Sequence, residues 1–168
     1  HFDMDKNGNP INAHPLTERE AKELIKALTI NTQKEKSQDF LKPKGILPTH
    51  ILHINPSAEN GSAIWYTKSM KRQLYFTENL EIPNGMAEVP AMLWFANKRS
   101  LKIFALANSR RPTEKTELFY APFFNVYEDG NVCMGTVDVN IQNSILLEEF
   151  TKEWEDYFFN SYFSHLMN

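Results

Sequence analysis

Cys133 is the only cysteine in the chain, and its thiol is a potential nucleophile. It closes the segment NVYEDGNVC, in which Asn125, Gly130 and Cys133 stand at offsets 0, 5 and 8. Residues 127–131 are polar and contain an Asp-Gly pair, which is typical of chain reversals. Val132 can anchor the edge of a strand beside the thiol. The pattern predicts a thiol displayed on irregular backbone, where a macromolecular partner can reach it.

The side chain of Asn125 suggests what such a thiol could do. Its amide N–H could stabilise negative charge on a carbonyl attached to the thiol, as the donors of an oxyanion hole do. No His or Lys lies near Cys133 in the sequence, so general-base activation of the protease type is not indicated. The pattern therefore suits transthiolation, in which a thioester passes from one thiol to another. On the residues alone, however, a structural role for Cys133 as a small buried hydrophobic residue is favoured.

Metal sites are not indicated by the sequence. His50 and His53 stand three residues apart on a predicted strand, which places them on opposite faces of a sheet. Asp3 and Asp5 match the start of a calcium-binding loop, but His14 occupies the twelfth position, where such a loop needs Glu. We therefore expect no metal site.

Composition limits the remaining classes of function. The chain has 168 residues, of which 42% are hydrophobic, and this predicts one domain with a single core. A net charge of −3, with Lys and Arg scattered among acids, gives no general attraction to nucleic acid or membranes. No apolar run approaches the roughly 18 residues that cross a bilayer. A single free thiol favours a reducing compartment, so we expect a cytoplasmic protein. The chain begins with His rather than Met, which leaves a removed signal peptide open.

The predicted elements are two helices with a group of strands between them. Residues 1–16 form a polar lead-in, and Thr17 with Glu20 makes a capping box for a helix over 17–30. Ser144 can cap a long C-terminal helix. Between the helices, hydrophobic runs predict five strands: 49–54, 62–67, 72–77, 91–96 and 101–107. Residues 97–100 read as a hairpin turn, and short connections of this kind indicate an antiparallel meander. The order helix, meander, irregular segment, helix predicts an α+β domain.

The motif around Cys133 resembles that of ubiquitin-conjugating enzymes. Those enzymes carry His-Pro-Asn, a turn with Gly and an Ile/Val-Cys-Leu step, with eight residues from Asn to Cys. Asn125, Gly130, Val132, Cys133 and Met134 match this pattern without a gap. The segments VPAMLWFANKRSLKIFALANSRRPTEKTELFYAPFFNVYEDGNVCMG and FFNSYFSH are similar to a prokaryotic branch, the protein B family of the PRTRC (ParB-related, ThiF-related) cassettes. This closer resemblance covers roughly residues 45–168.

The resemblance implies a ubiquitin-conjugating-enzyme-like fold, an antiparallel β-meander flanked by N- and C-terminal helices. It implies that Cys133 accepts a ubiquitin-like modifier as a thioester and that Asn125 stabilises the oxyanion. The expected partners are a ThiF-like activating enzyme, a ubiquitin-like protein and, in many cassettes, a JAB-type metallopeptidase. No cofactor is implied here, because ATP is consumed by the activating enzyme.

The sequence also departs from the pattern of those enzymes. Phe123-Phe124 replace His-Pro, and Gly135 replaces the usual acid two residues after the cysteine. The downstream acidic segment thought to deprotonate the incoming lysine is missing. His165 on the final helix could act as a base instead, although a solvated helix-end histidine is an equal alternative.

Two other functions stay open. A catalytically inactive adaptor would keep the fold as a docking surface for the activating enzyme or the ubiquitin-like protein, and it predicts a buried thiol. A thiol-based redox sensor is the other, but the chain has no second cysteine to resolve an oxidised thiol.

Overall fold

A computed structural model describes five stretches of the chain: residues 6–7, 17–23, 40–134, 141–142 and 145–164. The chain divides into two units, His1–Ser37 and Gln38–Asn168. The prediction of one domain over the whole chain stays a prediction.

In the first unit, residues 18–23 are helical and begin with the predicted capping box. The backbone N–H and the hydroxyl of Thr17 donate to Oε2 of Glu20 at 2.9 and 2.7 Å. The Thr17 hydroxyl in turn accepts a bond from the N–H of Glu20 at 3.3 Å. These bonds from Thr17 hold the pKa of the Glu20 carboxyl below its usual value. The start of the predicted helix is therefore confirmed, whereas residues 24–30 lie outside the described residues.

The described part of the second unit contains two sheets and a helix. Its strands are as follows: β1 (Ile51–Asn55), β2 (Ser62–Thr67), β3 (Met70–Phe76), β4 (Gly85–Val89), β5 (Ala91–Asn97), β6 (Leu101–Leu106) and β7 (Tyr162–Phe163). A short 3-10 turn, Glu78–Leu80, follows β3. Among the described residues, no helix is both long and apolar enough to cross a bilayer.

The larger sheet has four antiparallel strands in the order β1-β2-β5-β6. Trp65 on β2 stands opposite Trp94 on β5, and their rings stack with centroids 5.8 Å apart. The predicted hairpin turn between β5 and β6 is confirmed, because the N–H of Asn97 donates to the carbonyl of Ser100 at 3.1 Å. The side chain of Asn97 also accepts bonds from the backbone within that turn. This sheet confirms the antiparallel architecture expected from the sequence.

A second sheet, in the order β4-β3-β7, departs from the predicted single meander. The strand predicted at 72–77 is β3, but it pairs with β4 and β7 instead of joining the larger sheet. β4 was not predicted, because its sequence GMAEV has one β-branched residue and no aromatic residue. β7 pairs parallel to β3 through only two positions, Tyr75 with Tyr162 and Phe76 with Phe163.

The C-terminal helix, Leu147–Asn160, buries one face made mainly of aromatic residues. The prediction that Ser144 caps it is wrong, because Leu146 occupies the cap position and makes no side-chain cap bond. Backbone hydrogen bonds to residues 41 and 42 satisfy groups at the start of the helix instead. The N–H of Leu147 donates to the carbonyl of Lys42 at 3.0 Å, and that of Leu41 donates to the carbonyl of Ile145 at 2.9 Å. With these partners in place, the first turn does not depend on a side-chain cap.

Candidate functional site

Residues 125–133 form a narrow loop, the site hairpin, which confirms the predicted chain reversal. The N–H of Tyr127 donates to the carbonyl of Asn131 at 2.9 Å, and the N–H of Gly130 donates to the carbonyl of Tyr127 at 2.9 Å. At the open end, the N–H of Cys133 donates to the carbonyl of Asn125 at 2.7 Å. The eight-residue spacing therefore places Asn125 and Cys133 directly opposite each other.

Gly130 and Asp129 determine the conformation of the tip of the site hairpin. Gly130 has a φ of +81°, and a Cβ there would lie 2.5 Å from the ring of Phe104. Both facts require glycine. Asp129 accepts a bond from the N–H of Asn131 at 3.0 Å and lies 3.6 Å from the ammonium of Lys102. The bond from Asn131, together with the charge of Lys102, holds the pKa of the Asp129 carboxyl below its usual value.

The site hairpin is fastened to the edge of β6. The N–H of Ile103 donates to the carbonyl of Gly130, and the N–H of Val132 donates to the carbonyl of Leu101, both at 2.9 Å. Val132 is buried, as expected for a residue that anchors a strand edge. Cys133 follows it on backbone that is neither helix nor strand, and its side chain is half-buried.

Tyr157 on the C-terminal helix holds the chain just after the thiol. Its hydroxyl donates to the carbonyl of Met134 at 3.0 Å. Burial raises the pKa of the Tyr157 hydroxyl, and negative charge on Cys133 raises this pKa further. The sequence analysis did not single out Tyr157. Tyr157 is the only tyrosine of the helix, whose other aromatic residues are Phe and Trp. A buried tyrosine hydroxyl usually finds a hydrogen-bond partner, and this was the one sequence signal for a polar role.

The side chain of Asn125 is bonded to the segment around β7. Its Nδ2 donates to the carbonyl of Tyr162 at 3.1 Å, and its Oδ1 accepts bonds from the N–H and the hydroxyl of Ser164, both at 3.2 Å. The φ of Asn125 is 65°, in the left-handed region that asparagine tolerates better than most residues. Cys133 is thus contacted by the backbone of Asn125, while the carboxamide contacts the C-terminal segment.

Phe123 and Phe124, which stand in place of His-Pro, attach this corner to the core. The ring of Phe123 stacks on Phe163 at 5.9 Å and meets Phe158 edge-on at 5.2 Å. The ring of Phe124 meets Phe76 edge-on at 6.0 Å. Aromatic packing therefore orients the backbone that leads into Asn125.

Gly135 and His165 lie outside the described residues, as do Asp3, Asp5 and His14. The final helix ends at Asn160, so the expectation that His165 lies on it is wrong. Within the described stretches, no three His, Cys, Asp or Glu side chains come together as metal ligands do.

Comparison with protein-family models matches residues 20–168 to the family described as prokaryotic E2 family D. The chain belongs to this family. E2 is the general term for ubiquitin-conjugating enzymes, so the match confirms the resemblance seen around Cys133. A search of curated proteins and a search of solved structures each gave no match.

Membership of prokaryotic E2 family D, together with the observed strands and helix, confirms the α+β, ubiquitin-conjugating-enzyme-like fold. It also supports a role of the conjugating-enzyme kind in general. The PRTRC branch is compatible with this family. In this E2-like chain any cysteine thioester must form at Cys133, because there is no second thiol.

Proposed function

We propose that this E2 family D protein carries a ubiquitin-like protein as a thioester on Cys133 and transfers it to an amine. The observation that carries this proposal is the placement of the thiol. Cys133 is half-buried, lies on irregular backbone beside a strand edge and is held opposite Asn125 by a 2.7 Å backbone bond. A macromolecular substrate can reach a thiol in this position.

The proposed chemistry has two displacement steps. The Cys133 thiolate attacks the carbonyl carbon of the thioester that joins the modifier's C-terminus to the activating enzyme. The new C–S bond forms, the old one breaks, and the released enzyme thiolate takes up a proton. An acceptor amine then attacks the same carbon, and Cys133 leaves as the thiolate while the amine loses a proton. Each step passes through an oxyanion that a fixed N–H donor stabilises.

Asn125 supplies that donor in this proposal. Its Nδ2 carries two protons, one of which is bonded to the carbonyl of Tyr162. The other has no acceptor among the residues that the structure describes. This second proton is the one available to the thioester oxygen.

The proposal includes partners from the same gene cassette. A ThiF-like enzyme would activate a ubiquitin-like protein with ATP, and a JAB-type metallopeptidase could remove it from targets. Because the activating enzyme consumes ATP, the E2-like chain would need no cofactor of its own. We place these reactions in the cytoplasm, where the single thiol stays reduced.

One observation favours the adaptor as a second candidate. The carboxamide of Asn125 makes three hydrogen bonds to residues 162 and 164, so it also ties the site hairpin to the C-terminal segment. An adaptor would need only this structural role. The adaptor and the carrier differ in one measurable property, the covalent adduct on Cys133.

The adduct is tested with the activating enzyme, the ubiquitin-like protein, ATP and magnesium. We expect a slower band on a non-reducing gel that disappears with reductant and is absent in Cys133→Ala. Cys133→Ser should give an oxygen ester that survives reductant but not hydroxide. The band must also require ATP, because a disulfide would be lost to reductant as well. Tight binding of the partners without an ATP-dependent adduct would establish the adaptor instead.

Removal of the Asn125 side chain tests the donor. Since Ala is strained at a φ of 65° and Gly is not, Asn125→Gly removes the carboxamide without backbone strain. We expect the single-turnover discharge of the thioester to an amine to slow by about 100-fold, the typical cost of losing one oxyanion donor. Asn125→Ala should slow discharge at least as much.

Asn131→Ala is the matched control for this experiment. Its side chain bonds to Asp129 within the same site hairpin. Within the described part of the chain, no hydrogen bond joins this side chain to Cys133. We expect discharge within about twofold of the wild type, because the substitution removes one hydrogen bond of a half-buried side chain at the tip of the hairpin. Equal discharge rates for Asn125→Gly and the wild type would assign the Asn125 carboxamide a purely structural role.

A further inference from the structure

Ser164 bonds to the carboxamide of Asn125 with two donors. Its backbone N–H and its hydroxyl both lie 3.2 Å from Oδ1 of Asn125. The carbonyl of Tyr162, two residues earlier, accepts the Nδ2 proton at 3.1 Å. The C-terminal segment therefore presents two donors and one acceptor to a single side chain.

This arrangement determines which end of the carboxamide is oxygen and which is nitrogen. The two ends have nearly the same shape, but only oxygen accepts hydrogen bonds and only nitrogen donates them. The backbone N–H of Ser164 can only donate, so it requires Oδ1, and the hydroxyl adds a second bond to the same oxygen. Nδ2 then gives one proton to the carbonyl of Tyr162, and its second proton has no acceptor among the described residues.

We propose that Ser164 is a positioning residue that orients the Asn125 carboxamide, so that an N–H faces the thioester carbonyl. This inference rests on the proposed carrier function of Cys133. Ser164 does not touch the reacting atoms in this scheme. It acts through Asn125. In the flipped carboxamide, nitrogen would face the backbone N–H of Ser164 and oxygen would face the carbonyl of Tyr162, and neither pair can form a hydrogen bond. The Ser164 hydroxyl adds a bond to Oδ1 that strengthens the unflipped orientation.

Other contacts hold β7, which directly precedes Ser164, in place. The N–H and the hydroxyl of Thr77 donate to the carbonyl of Phe163 at 3.0 and 3.3 Å. The ring of Phe163 is only 1% exposed and stacks on Phe123 at 5.9 Å. Removal of the Ser164 hydroxyl therefore leaves β7 attached. Thr77→Val offers a matched control, since it removes one side-chain bond to β7 without touching Asn125.

The test measures single-turnover discharge of the Cys133 thioester to an amine. One lost hydrogen bond predicts that Ser164→Ala slows discharge by about 2- to 10-fold. Ser164→Thr, which keeps both donors, should discharge at the wild-type rate, and so should Thr77→Val. In the Asn125→Gly background, Ser164→Ala should have no further effect, because the two residues then act as one unit.

Three results would overturn the proposal. Ser164→Ala could leave discharge unchanged, it could slow discharge equally in the Asn125→Gly background, or Thr77→Val could slow discharge as much as Ser164→Ala does. Each result would reduce the Ser164 hydroxyl to an ordinary contact of β7.

A second readout separates this proposal from the carrier function itself. The side-chain NH₂ signals of Asn125 can be assigned by NMR as the pair missing from Asn125→Gly. We expect them to shift in Ser164→Ala but not in Thr77→Val. If the wild type formed no thioester, the carrier function would fall, while these signals would still decide whether Ser164 orients the carboxamide. Unchanged signals in Ser164→Ala would refute that orientation.

Discussion

Gly130 is the residue on which the shape of the site hairpin depends most. Its carbonyl accepts the N–H of Ile103, so a shift at Gly130 would loosen the attachment to β6. Its φ of +81° lies in the region that other residues rarely adopt, and the ring of Phe104 fills the space where a Cβ would project. Backbone conformation and packing both demand the absence of a side chain here.

We therefore expect Gly130→Ala to lower the free energy of unfolding by about 2–4 kcal/mol, from left-handed strain plus overpacking. Urea denaturation measures this change. Gly45→Ala is the control, because a Cβ at Gly45 meets nothing within 4 Å and its φ is not in the left-handed region. Equal stability of Gly130→Ala and the wild type would mean that Phe104 moves aside without cost.

At this scale the sequence predicted the hairpin well but not the contacts of Asn125. The turn residues and the eight-residue spacing are local, so the chain reversal between Asn125 and Cys133 could be predicted from the segment alone. The partners of the Asn125 side chain lie 37 and 39 residues further along the chain. Contacts over that distance depend on how β7 packs, which no local pattern encodes.

Among the elements, the C-terminal helix is joined to both sheets through the carboxylate of Glu155. The indole N–H of Trp65 on β2 donates to Oε1 at 2.9 Å, and the guanidinium of Arg72 on β3 lies 3.5 Å from Oε2. Arg72 also lies over the ring of Phe159, 4.9 Å from its centroid. Burial raises the pKa of the Glu155 carboxyl, and the charge of Asp156 adds to this, while Trp65 and Arg72 oppose it.

The raised pKa of Glu155 predicts how stability changes with pH. Between its ordinary value of 4.5 and its higher folded value, the folded state binds more protons than the unfolded state. The contribution of Glu155 to stability is therefore full below 4.5 and is lost as the pH rises through the folded value. Glu155→Gln keeps an acceptor for Trp65 but cannot ionise, so its stability relative to the wild type should increase over this range.

Urea denaturation of both proteins at several pH values measures that difference directly. Subtracting the wild type cancels the opposite contributions of Glu20 and Asp129, whose pKa values are lowered. Glu88→Gln is the control, since this carboxyl on β4 is exposed. A difference between Glu155→Gln and the wild type that did not vary with pH would show that Glu155 ionises equally easily in both states.

The elements also show where sequence patterns stop being informative. The predicted bounds of β2, β5 and β6 agree with the observed bounds to within one residue. These strands are long hydrophobic runs, and the residues that favour strands are also the ones buried in the sheet. β4 and β7 escaped prediction because each is stabilised mainly by its pairing with β3. The sequence analysis placed the start of the C-terminal helix wrongly, because backbone hydrogen bonds to residues 41–42 take the place of a side-chain cap.

Across the second unit, aromatic rings connect the thiol region to the core. Phe163 contacts Phe76 on β3, Phe123 before the site hairpin and Phe158 on the C-terminal helix, with centroids 5.5–5.9 Å apart. The hydrophobic content predicted a single core, and the motif predicted irregular backbone around the thiol. Neither could predict that Tyr162 and Ser164 would bond to the side chain of Asn125. Those contacts depend on the pairing of β7 with β3, which forms between residues far apart in the sequence.

Phe163→Ala tests whether β7 holds the second unit together. Truncation of a fully buried phenylalanine should lower the free energy of unfolding by about 3–5 kcal/mol, through lost burial and the cavity left behind. It should also speed alkylation of Cys133, because Asn125 is bonded to the residues on either side of Phe163. Tyr162→Ala is the control from the same strand, since its ring is 59% exposed and its carbonyl bond to Asn125 is retained. Both variants could instead lose the same stability and show the same rate of thiol alkylation. That result would mean that the aromatic contacts of Phe163 do not couple the thiol region to the core.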